Sequence, residues 1–320
     1  MNMMTQNAGV LLDVIGIEPG EIAYNPAVIV QRNKHTVASG APVIAVRVEN
    51  LNSDWLNPKL YNPHIMFFTR QNDALIPLPG TPVFLGCEDP WATWMRGKDR
   101  EPQLLFGVVK VDFAGKEPVI TTQLYLAQSV QDLRTENPIA IIRGMKDVRV
   151  APLLDGRLAV FTRPLTGAAY PGRVGFAIID SIEEIEKAVI NAPLLPFSLD
   201  KNERIGVNEA YEIGPSTLHV FCHIARVDPM QQDGREVFDF DRGIIHYSGY
   251  QFDLDPNHPY DDNIALHKVA DRSNFPINSG PSKGKRYDDV IFPGGTGGLG
   301  QTQYYCGVED AQVGVIDFKK

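Results

Sequence analysis

The apolar residues of this chain occur in short runs that favour strands over helices. The runs are rich in Val, Ile, Phe and Tyr and end at Gly, Pro, Asn or Asp, as strands separated by turns do. Clear examples of such runs are residues 42–48, 65–68, 104–111, 119–126, 158–162, 217–225 and 303–306. The pattern predicts an all-β protein.

A single segment, residues 181–190, has the periodicity of a helix. Ile185 and Val189 fall on one helical face, and Ser181 and Glu184 have the spacing of a capping box. We therefore predict one short helix in a chain made of strands.

A loose theme of polar turn, strand, turn and second strand recurs along the chain. It begins near Tyr24, Glu88, Lys146, Glu209 and Asp288, at irregular spacing. Units of about four strands fit a small propeller, and a chain of this length supplies about five blades. Periodicity alone leaves a β-sandwich open as the alternative.

No linker-like stretch divides the chain, so we predict one domain over residues 1–320. Residues 253–286 are rich in Asp, Asn, Pro, Gly and Lys and are expected to form a long surface loop or a lid. The glycine run at residues 294–300 lacks the Lys-Ser or Lys-Thr pair and the following helix of a Walker loop. We expect it to form a tight loop.

Composition narrows the classes of partner. The 320 residues are 43% apolar and 22% charged, as in ordinary globular proteins, and the net charge of −9 argues against nucleic acid as a partner. No run approaches the ~20 apolar residues that span a bilayer. Residues 1–20 also lack the basic start of a secretory signal. We expect no membrane contact and a cytoplasmic location. The oligomeric state stays open, and a homo-oligomer is one expectation.

The cysteines and histidines form no recognisable metal or nucleophile motif. Cys87, Cys222 and Cys306 are too scattered for a disulfide framework or a zinc site. Cys222 and His223 are neighbours on a predicted strand, so their side chains point to opposite faces and cannot act as nucleophile and base. A strand histidine is more often a core residue than a ligand. We predict neither a metal nor a cofactor.

The most suggestive acidic motif is Gly-Cys-Glu-Asp-Pro-Trp at residues 86–91, with Trp94 close behind. The proline after Asp89 disfavours helical geometry for that residue and indicates an extended or turn conformation. An aromatic face beside a carboxylic acid is what a sugar site needs, because the ring supplies a flat apolar surface and the acid supplies a proton. The competing interpretation is a surface turn in which Trp91 and Trp94 anchor the core.

A basic group stands in the middle of the chain, with Arg143, Lys146 and Arg149 followed by Arg163. Convergent Arg and Lys side chains hold phosphate well, Arg through a bidentate fork and Lys as a point charge. The competing interpretation is solvated surface. Arg163 favours the phosphate site, because it ends an apolar strand where a solvated face would not place a lone cation.

Seven motifs follow one another in a fixed order from about residue 24 to residue 315. They are Tyr24-Asn-Pro-Ala, Arg47, Glu88-Asp-Pro, Lys146-Asp, Phe161-Thr-Arg-Pro, Phe221-Cys-His and Tyr304-Tyr-Cys-Gly-Val-Glu-Asp. In this order the motifs resemble those of the mannoside phosphorylases of glycoside hydrolase family 130, which are five-bladed β-propellers. They resemble still more closely a related mannosyltransferase and phosphorylase group, glycosyltransferase family 108, once known only as a domain of unknown function.

The resemblance implies a role for each matching residue. Asp89 corresponds to the general acid, which protonates the glycosidic oxygen as the leaving sugar departs. The residues implied to bind the mannoside are Asn25, Arg47, Glu88, Asp147 and Asp310. The residues implied to bind phosphate are Arg143, Lys146, Arg163 and His223.

The sequence also departs from the family pattern. Trp91 replaces an arginine, and Ile224 and Ala225 replace the glycine that follows the family's histidine. Glu309 directly before Asp310 is atypical, so the sequence leaves open which of these two carboxylates contacts the sugar.

The activity implied by the resemblance is inverting, reversible transfer of mannose between a β-mannoside, expected to be β-1,2-linked, and inorganic phosphate, giving mannose 1-phosphate. An inverting hydrolase needs an acid and a base ~6.5–9.5 Å apart, whereas a phosphorylase needs only cations that receive the anionic nucleophile. The alternatives are an inverting hydrolase with Glu209, Asp228 or Asp288 as base, and a catalytically inactive carbohydrate-binding propeller. GDP-mannose is an alternative mannosyl donor, because the same cations could hold a diphosphate.

Overall fold

The computed structural model describes residues 8–318 apart from 31, 34–35, 38–40, 55–56, 98–100, 114–117, 166–171, 262–263, 278–279 and 299. Over these residues the chain consists of strands, one α-helix, α1 (Ile185–Asn191), and short 3₁₀ turns. The prediction of an all-β protein is confirmed.

The strands are numbered in chain order. They are β1 (Val10–Val14), β2 (Glu21–Ile29), β3 (Arg32–Asn33), β4 (Thr36–Val37), β5 (Val43–Asn50), β6 (His64–Gln71), β7 (Ala74–Pro77), β8 (Phe84–Leu85), β9 (Cys87–Arg96), β10 (Pro102–Asp112), β11 (Val119–Ala127), β12 (Ala140–Arg143), β13 (Met145–Pro152), β14 (Leu158–Pro164), β15 (Gly175–Ile179), β16 (Glu203–Gly214), β17 (Thr217–Val227), β18 (Met230–Gln232), β19 (Arg235–Val237), β20 (Ile245–Leu254), β21 (His267–Ala270), β22 (Asp289–Gly295), β23 (Gln303–Val308) and β24 (Gln312–Asp317). Each of the seven runs predicted as strands falls in one of these elements.

Most strands belong to five antiparallel groups, each built largely from consecutive strands. The first is β2-β5-β6-β7, the second β9-β10-β11-β12, the third β13-β14-β15, the fourth β16-β17-β20-β21 and the fifth β22-β23-β24-β1. Short parallel pairings join the fourth group to the fifth, at His246 and Asp289, and the fifth to the first, at Asp13 and Ala74. The N-terminal strand therefore lies beside the C-terminal strand in one sheet.

The first strands of the five groups contact one another in a ring. Strand β2 contacts β9, β9 contacts β13, β13 contacts β16, β16 contacts β22, and β22 contacts β2. Each of these strands is interrupted by a β-bulge against its partner strand. The five points where the recurring theme begins fall on these strands or, for Asp288, directly before one.

The buried apolar side chains lie between neighbouring sheets. Phe67 and Phe106 meet between the first and second sheets with ring centroids 5.3 Å apart. Trp91 packs with the third sheet, and Phe252 of the fourth sheet belongs to the cluster shared with the third. Tyr305 of the fifth sheet packs with the first. Each sheet thus buries both faces, which explains strands that are apolar over long stretches.

The predicted helix is confirmed, but it begins at Ile185 rather than at residue 181. Ile185 and Val189 are buried on its inner face. Residues Ile182–Glu184 form a 3₁₀ turn, in which the Glu184 amide donates to the Ser181 carbonyl. The prediction of a capping box is wrong, because the Ser181 hydroxyl makes no bond to the helix backbone and contacts the Glu184 carboxylate at 3.4 Å instead.

Two predicted loops contain regular structure. The region 253–286 includes β21, and Phe275 within it is buried in the core beside the fifth sheet. The glycine run 294–300 begins inside a strand, because β22 extends to Gly295. Gly294 lies there because a side chain would collide with the Pro26 carbonyl, 2.3 Å from the position of a Cβ.

Among the described residues, no helix has the length and apolar character required to cross a membrane. The described His, Cys, Asp and Glu residues form no group of three or more that could bind a metal ion. All three cysteines are buried and free.

Candidate active site

Three of the bulges in the ring of first strands carry an acidic or amide side chain. Asn25, Asp89 and Asp147 occupy the bulges of β2, β9 and β13 with φ of 49°, 50° and 49°. Asn and Asp tolerate this left-handed conformation better than other non-glycine residues, and a bulge redirects the side chain from the sheet. Pro26 and Pro90 follow two of them, where the interrupted ladder does not need an amide donor.

Asp89 is a buried carboxylic acid, with 7% of the residue exposed. Asn25 Nδ2 donates to its Oδ1 over 2.9 Å. Burial and the charge of Glu88 raise the pKa of Asp89, and Lys146 and Arg47 oppose that shift in part. A carboxyl group that keeps its proton at higher pH is suited to general acid catalysis.

The pKa of the adjacent Glu88 shifts in the opposite direction. Its Oε1 accepts from Lys146 Nζ at 2.5 Å, its Oε2 accepts from the Tyr61 hydroxyl at 3.0 Å, and Arg47 Nη1 lies 2.9 Å from Oε2. Burial favours the neutral form, but Lys146, Arg47 and these hydrogen bonds outweigh it and lower the pKa of Glu88 to about 2. Neighbouring carboxyl groups with diverging pKa values are a pattern of acid and base sites.

A cationic group lies beside the acid pair. Arg163 has 6% of its surface exposed, and its Nη1 is 3.0 Å from Asp147 Oδ2. Arg204 lies next to Arg163, since both border Gly172, where a Cβ would lie 3.0 Å from Arg204 Cβ and 3.6 Å from Arg163 Cδ. Over the part of the chain that the structure describes, the Nε groups of Arg163 and Arg204 have no acceptor. Both arginines therefore retain a donor for an anion.

Sequence reasoning missed Arg204. Its guanidinium lies over the rings of Phe240 and Tyr247, 4.6 Å and 5.7 Å from their centroids. No sequence signal sets Arg204 apart, because it follows residues 201–203, Lys-Asn-Glu, in a polar stretch that is typical of a solvated strand start.

His223 is a neutral residue, which corrects its expected place among the phosphate-binding cations. It is 1% exposed, and burial, opposed by Asp147 and assisted by Arg163, lowers its pKa to about 3. Its Nδ1 donates to Asn208 Oδ1 over 2.9 Å, and its Nε2 faces Arg163 Nη1 at 3.4 Å. His223 therefore orients Arg163 rather than supplying a charge.

Asp147 is a buried carboxylate that pairs with Arg163. It is 2% exposed, and although burial favours its neutral form, Arg163 and His223 lower its pKa to about 2. Arg149 Nη2 lies 3.7 Å from its other oxygen. The expected contact of Asp147 with the sugar is thus not what the geometry favours, because its carboxylate is buried against arginine.

Arg143 stands apart from this group. It lies exposed on β12, the outer strand of the second sheet, opposite Thr121. The hydrogen bonds and ion pairs described for Lys146, Arg163 and Asp147 do not involve it. The expectation that Arg143 binds phosphate is not supported, because its side chain is exposed on the strand farthest from β9 in the second sheet.

Glu309 and Asp310 are distinguished by their partners. Arg272 Nε donates to Glu309 Oε1 over 2.6 Å, which occupies that carboxylate outside the acid cluster. Burial and the charge of Asp89 raise the pKa of Asp310, and the charges of Lys283 and Arg47 oppose that rise in part. Of the two carboxylates, Asp310 is the one placed with the residues expected to hold the sugar.

The tryptophans of the acidic motif belong to the core. Trp91 is 4% exposed and packs directly on Gly107, where a Cβ would lie 2.1 Å from its Nε1. Trp94 Nε1 donates to the Val30 carbonyl over 2.7 Å. The motif therefore combines both interpretations, because its carboxylates enter the site while its aromatic rings support the sheets.

The C-terminal parts of β2, β9, β13 and β16, together with the loop after β22, line a cavity of about 1320 Å³ that includes Glu209. Glu209 Oε2 accepts from the Thr296 amide at 2.7 Å. Asp228 contacts His246 at 3.0 Å, and Asp288 is exposed beside Ser282. The contacts described for these three candidate hydrolytic bases therefore do not involve Asp89.

A family model described as a protein of unknown function, DUF1861, matches residues 11–320. The chain belongs to the DUF1861 family. Comparison of this DUF1861 chain with curated proteins gives no match.

Comparison with solved structures shows the fold of the DUF1861 chain. MPT-4, a mannose phosphorylase from Leishmania mexicana in complex with phosphate ion, is 24% identical, with a TM-score of 0.77 over 99% of this chain and 89% of that one. MPT-1, a GDP-Man-dependent mannosyltransferase from Leishmania mexicana, is 21% identical, with a TM-score of 0.75 over 100% and 91%. β-1,2-Mannobiose phosphorylase from Listeria innocua is 15% identical, with a TM-score of 0.63 over 100% and 97%. The expected resemblance to mannoside phosphorylases and the related mannosyltransferases is confirmed, and the fold is propeller-like.

Proposed function

We propose that this DUF1861 protein is an inverting mannoside phosphorylase or mannosyltransferase. It transfers mannose between a β-mannoside, with a β-1,2 linkage as the first choice, and phosphate, giving mannose 1-phosphate. The observation that carries the proposal is a buried carboxyl group with a raised pKa, Asp89, beside a cation group in which, among the described residues, the Nε donors of Arg163 and Arg204 have no acceptor. A protonated acid and cations for an anionic nucleophile are the two requirements of phosphorolysis.

We propose further that residues 1–320 form a single five-bladed propeller. The ring of contacts among β2, β9, β13, β16 and β22 supports five blades around an axis. The apolar clusters between successive sheets support a radial arrangement. The pairing of β1 with β24 would close the last blade with the first strand of the chain.

The geometry supports a single-step transfer. Asp89 donates its proton to the glycosidic oxygen as the bond from that oxygen to the anomeric carbon breaks. A phosphate oxygen forms the new bond to the anomeric carbon from the opposite face, which inverts the configuration. Arg163, Arg204 and Lys146 offset the charge of the phosphate, and ionised Asp89 takes the proton back in the reverse direction. The step needs no metal and no cofactor.

The test uses the purified protein with β-1,2-mannobiose in the presence and absence of phosphate. Phosphorus NMR should show mannose 1-phosphate only when phosphate is present, and proton NMR should show the α-anomer. Asp89→Asn should lower the rate by about 10²–10⁴-fold, because it removes the proton donor at nearly constant volume. Asp13→Asn, at an exposed position of β1, is the control and should retain full activity.

A second arm supplies GDP-mannose with a mannose acceptor, because MPT-1 is GDP-Man-dependent. Mannoside formation from GDP-mannose alone would assign transferase rather than phosphorylase activity. Release of reducing sugar without phosphate, or an Asp89→Asn rate above a tenth of wild type, would contradict the proposal.

A further inference from the structure

The segment between β21 and β22, residues 271–288, connects three sheets through three cations. We call this segment the strap. Arg272 bonds Glu309 next to the fifth sheet, and Arg286 Nη2 donates to the Phe240 carbonyl beside the fourth sheet over 2.7 Å. Lys283 reaches the first sheet. The described part of the strap is therefore fixed to the ring at three places.

Lys283 enters the ring where the acid cluster begins. Its side chain is only 10% exposed, and its Nζ donates to the Tyr24 hydroxyl over 2.7 Å and to the Glu49 carboxylate. The ammonium also lies 4.5 Å from the centroid of the Tyr24 ring. Tyr24 and Glu49 are fully buried. A lysine that gives up water for two buried acceptors and an aromatic face is built into the site.

A continuous set of contacts leads from Lys283 to the acid. Glu49 also accepts from Arg47 Nη2 at 2.8 Å. The other branch of the Arg47 guanidinium lies 2.9 Å from Glu88 and 3.7 Å from Asp89. Lys283 and Arg47 thus share the charge of Glu49. Without Lys283, Glu49 would be balanced by Arg47 alone, and the guanidinium would be drawn from Glu88 and Asp89 toward Glu49.

We propose that Lys283 is a positioning residue for the mannosyl end of the site. It fixes the strap over that end and, through Glu49, holds Arg47 between Glu88 and Asp89. This inference rests on the proposed function and deepens it. The phosphate end has its own set of partners around Arg163, so the two ends should respond separately to loss of Lys283.

The kinetic test compares Lys283→Met with Lys285→Met, which removes the same charge from an exposed position of the strap. Lys283→Met should lower kcat/KM for the mannoside by about 10- to 100-fold, because a shifted contact misplaces the reacting groups. The KM for phosphate should change by less than about twofold, a loss too small to indicate a lost contact. Lys283→Arg should recover most of the activity, and Lys285→Met should match wild type.

Hydrogen exchange of peptides from residues 280–287 provides a readout independent of activity. Lys283→Met should exchange faster there than wild type and Lys285→Met. Equal exchange and equal kinetics in the two methionine variants would overturn the inference, as would an equal rise of both KM values. If the wild type forms no mannose 1-phosphate, the proposed function fails, and the exchange measurement alone decides whether Lys283 holds the strap. If Lys283→Met does not fold, Lys283→Gln replaces it, since it removes the charge and keeps a hydrogen-bond donor; wild-type exchange in folded Lys283→Gln would overturn the inference.

Discussion

At the scale of single residues, the site depends on adjacent carboxyl groups whose pKa values shift in opposite directions. Glu88 and Asp89 are neighbours in sequence, yet cations lower the pKa of the first, while burial and the charge of the first raise the pKa of the second. The bulge explains the difference, because it turns consecutive side chains into different surroundings. Glu309 and Asp310 also face different surroundings, although they lie in the turn between β23 and β24 rather than in a bulge.

Glu88→Gln tests this coupling through pH. The charge of Glu88 raises the pKa of Asp89, so its removal should lower that pKa. Phosphorolysis needs Asp89 protonated, so activity is lost as pH rises through its pKa, and the alkaline limb of the kcat profile should move to lower pH in Glu88→Gln. The measurement is kcat against pH for both proteins. A limb that stays in place or moves to higher pH would refute the coupling.

Arg163→Ala tests the phosphate end. Loss of a buried charge-assisted contact typically costs about 2–5 kcal/mol, so the KM for phosphate should rise by at least about tenfold, with some loss of kcat. Arg143→Ala is the matched control, because Arg143 is exposed on β12, and its phosphate KM should equal that of wild type. An unchanged phosphate KM in Arg163→Ala would return the basic group to a purely structural role. Circular dichroism should accompany the kinetics, because Asp147 loses its nearest cation.

At the scale of elements, the first strand of each sheet carries residues of the candidate site, and its bulge sets the direction in which their side chains point. Arg47 and Arg163 illustrate the regularity, since each lies on the second strand opposite the residue before the bulge, Tyr24 and Lys146 respectively. Strand β16 departs from this plan, because its bulge follows Val207, which lies opposite Cys222. Gly206, one pair earlier, lies opposite His223, where a side chain would collide with Asp147 and His223.

Gly206→Ala should disturb the phosphate end without removing a charged group. A Cβ at Gly206 would lie 2.4 Å from Asp147 Oδ2 and 2.5 Å from His223 Cε1. We expect a loss of about 1–3 kcal/mol of stability, as for an overpacked core, and a raised KM for phosphate. Gly214→Ala, at the other end of β16 with open space around it, should leave the KM unchanged. Thermal melting and phosphate titration of both variants provide the comparison.

At the scale of the whole molecule, the ring depends on pairing between the two ends of the chain. Val10 lies opposite Val315 and Leu12 opposite Val313, with Leu12 buried between the fifth and first sheets. A local sequence pattern predicts β1 poorly, because it is short and Asp13 interrupts it. Its partners are the last residues of the chain.

Deletion of residues 1–14 should therefore destabilise the protein as a whole. Loss of Leu12 alone removes a buried side chain worth about 2–5 kcal/mol, and the edge of β24 would become unpaired. Deletion of residues 1–7 leaves β1 in place and should have little effect. Denaturant unfolding of the two truncated proteins measures the difference. Equal midpoints would mean that β1 does not hold the ring together.

The sequence by itself determined the all-β class, the approximate positions of seven strands and of the helix, and the order of the acidic and basic motifs. Strand propensity and turn residues act locally, so alternation and composition were enough for these. The Asn-Pro and Asp-Pro pairs that occupy the bulges were also visible, because backbone preferences of Asn, Asp and Pro are local properties.

Only the tertiary structure decided which charges work together. Arg143 and Arg204 look alike in sequence, but one faces solvent on an edge strand and the other borders Arg163. Lys283 lies 234 residues from Glu49 along the chain and bonds it in the ring. The neutral state of His223 depends on burial among cations from other strands. Burial and electrostatic pairing depend on distances between sheets, and a sequence pattern does not contain those distances.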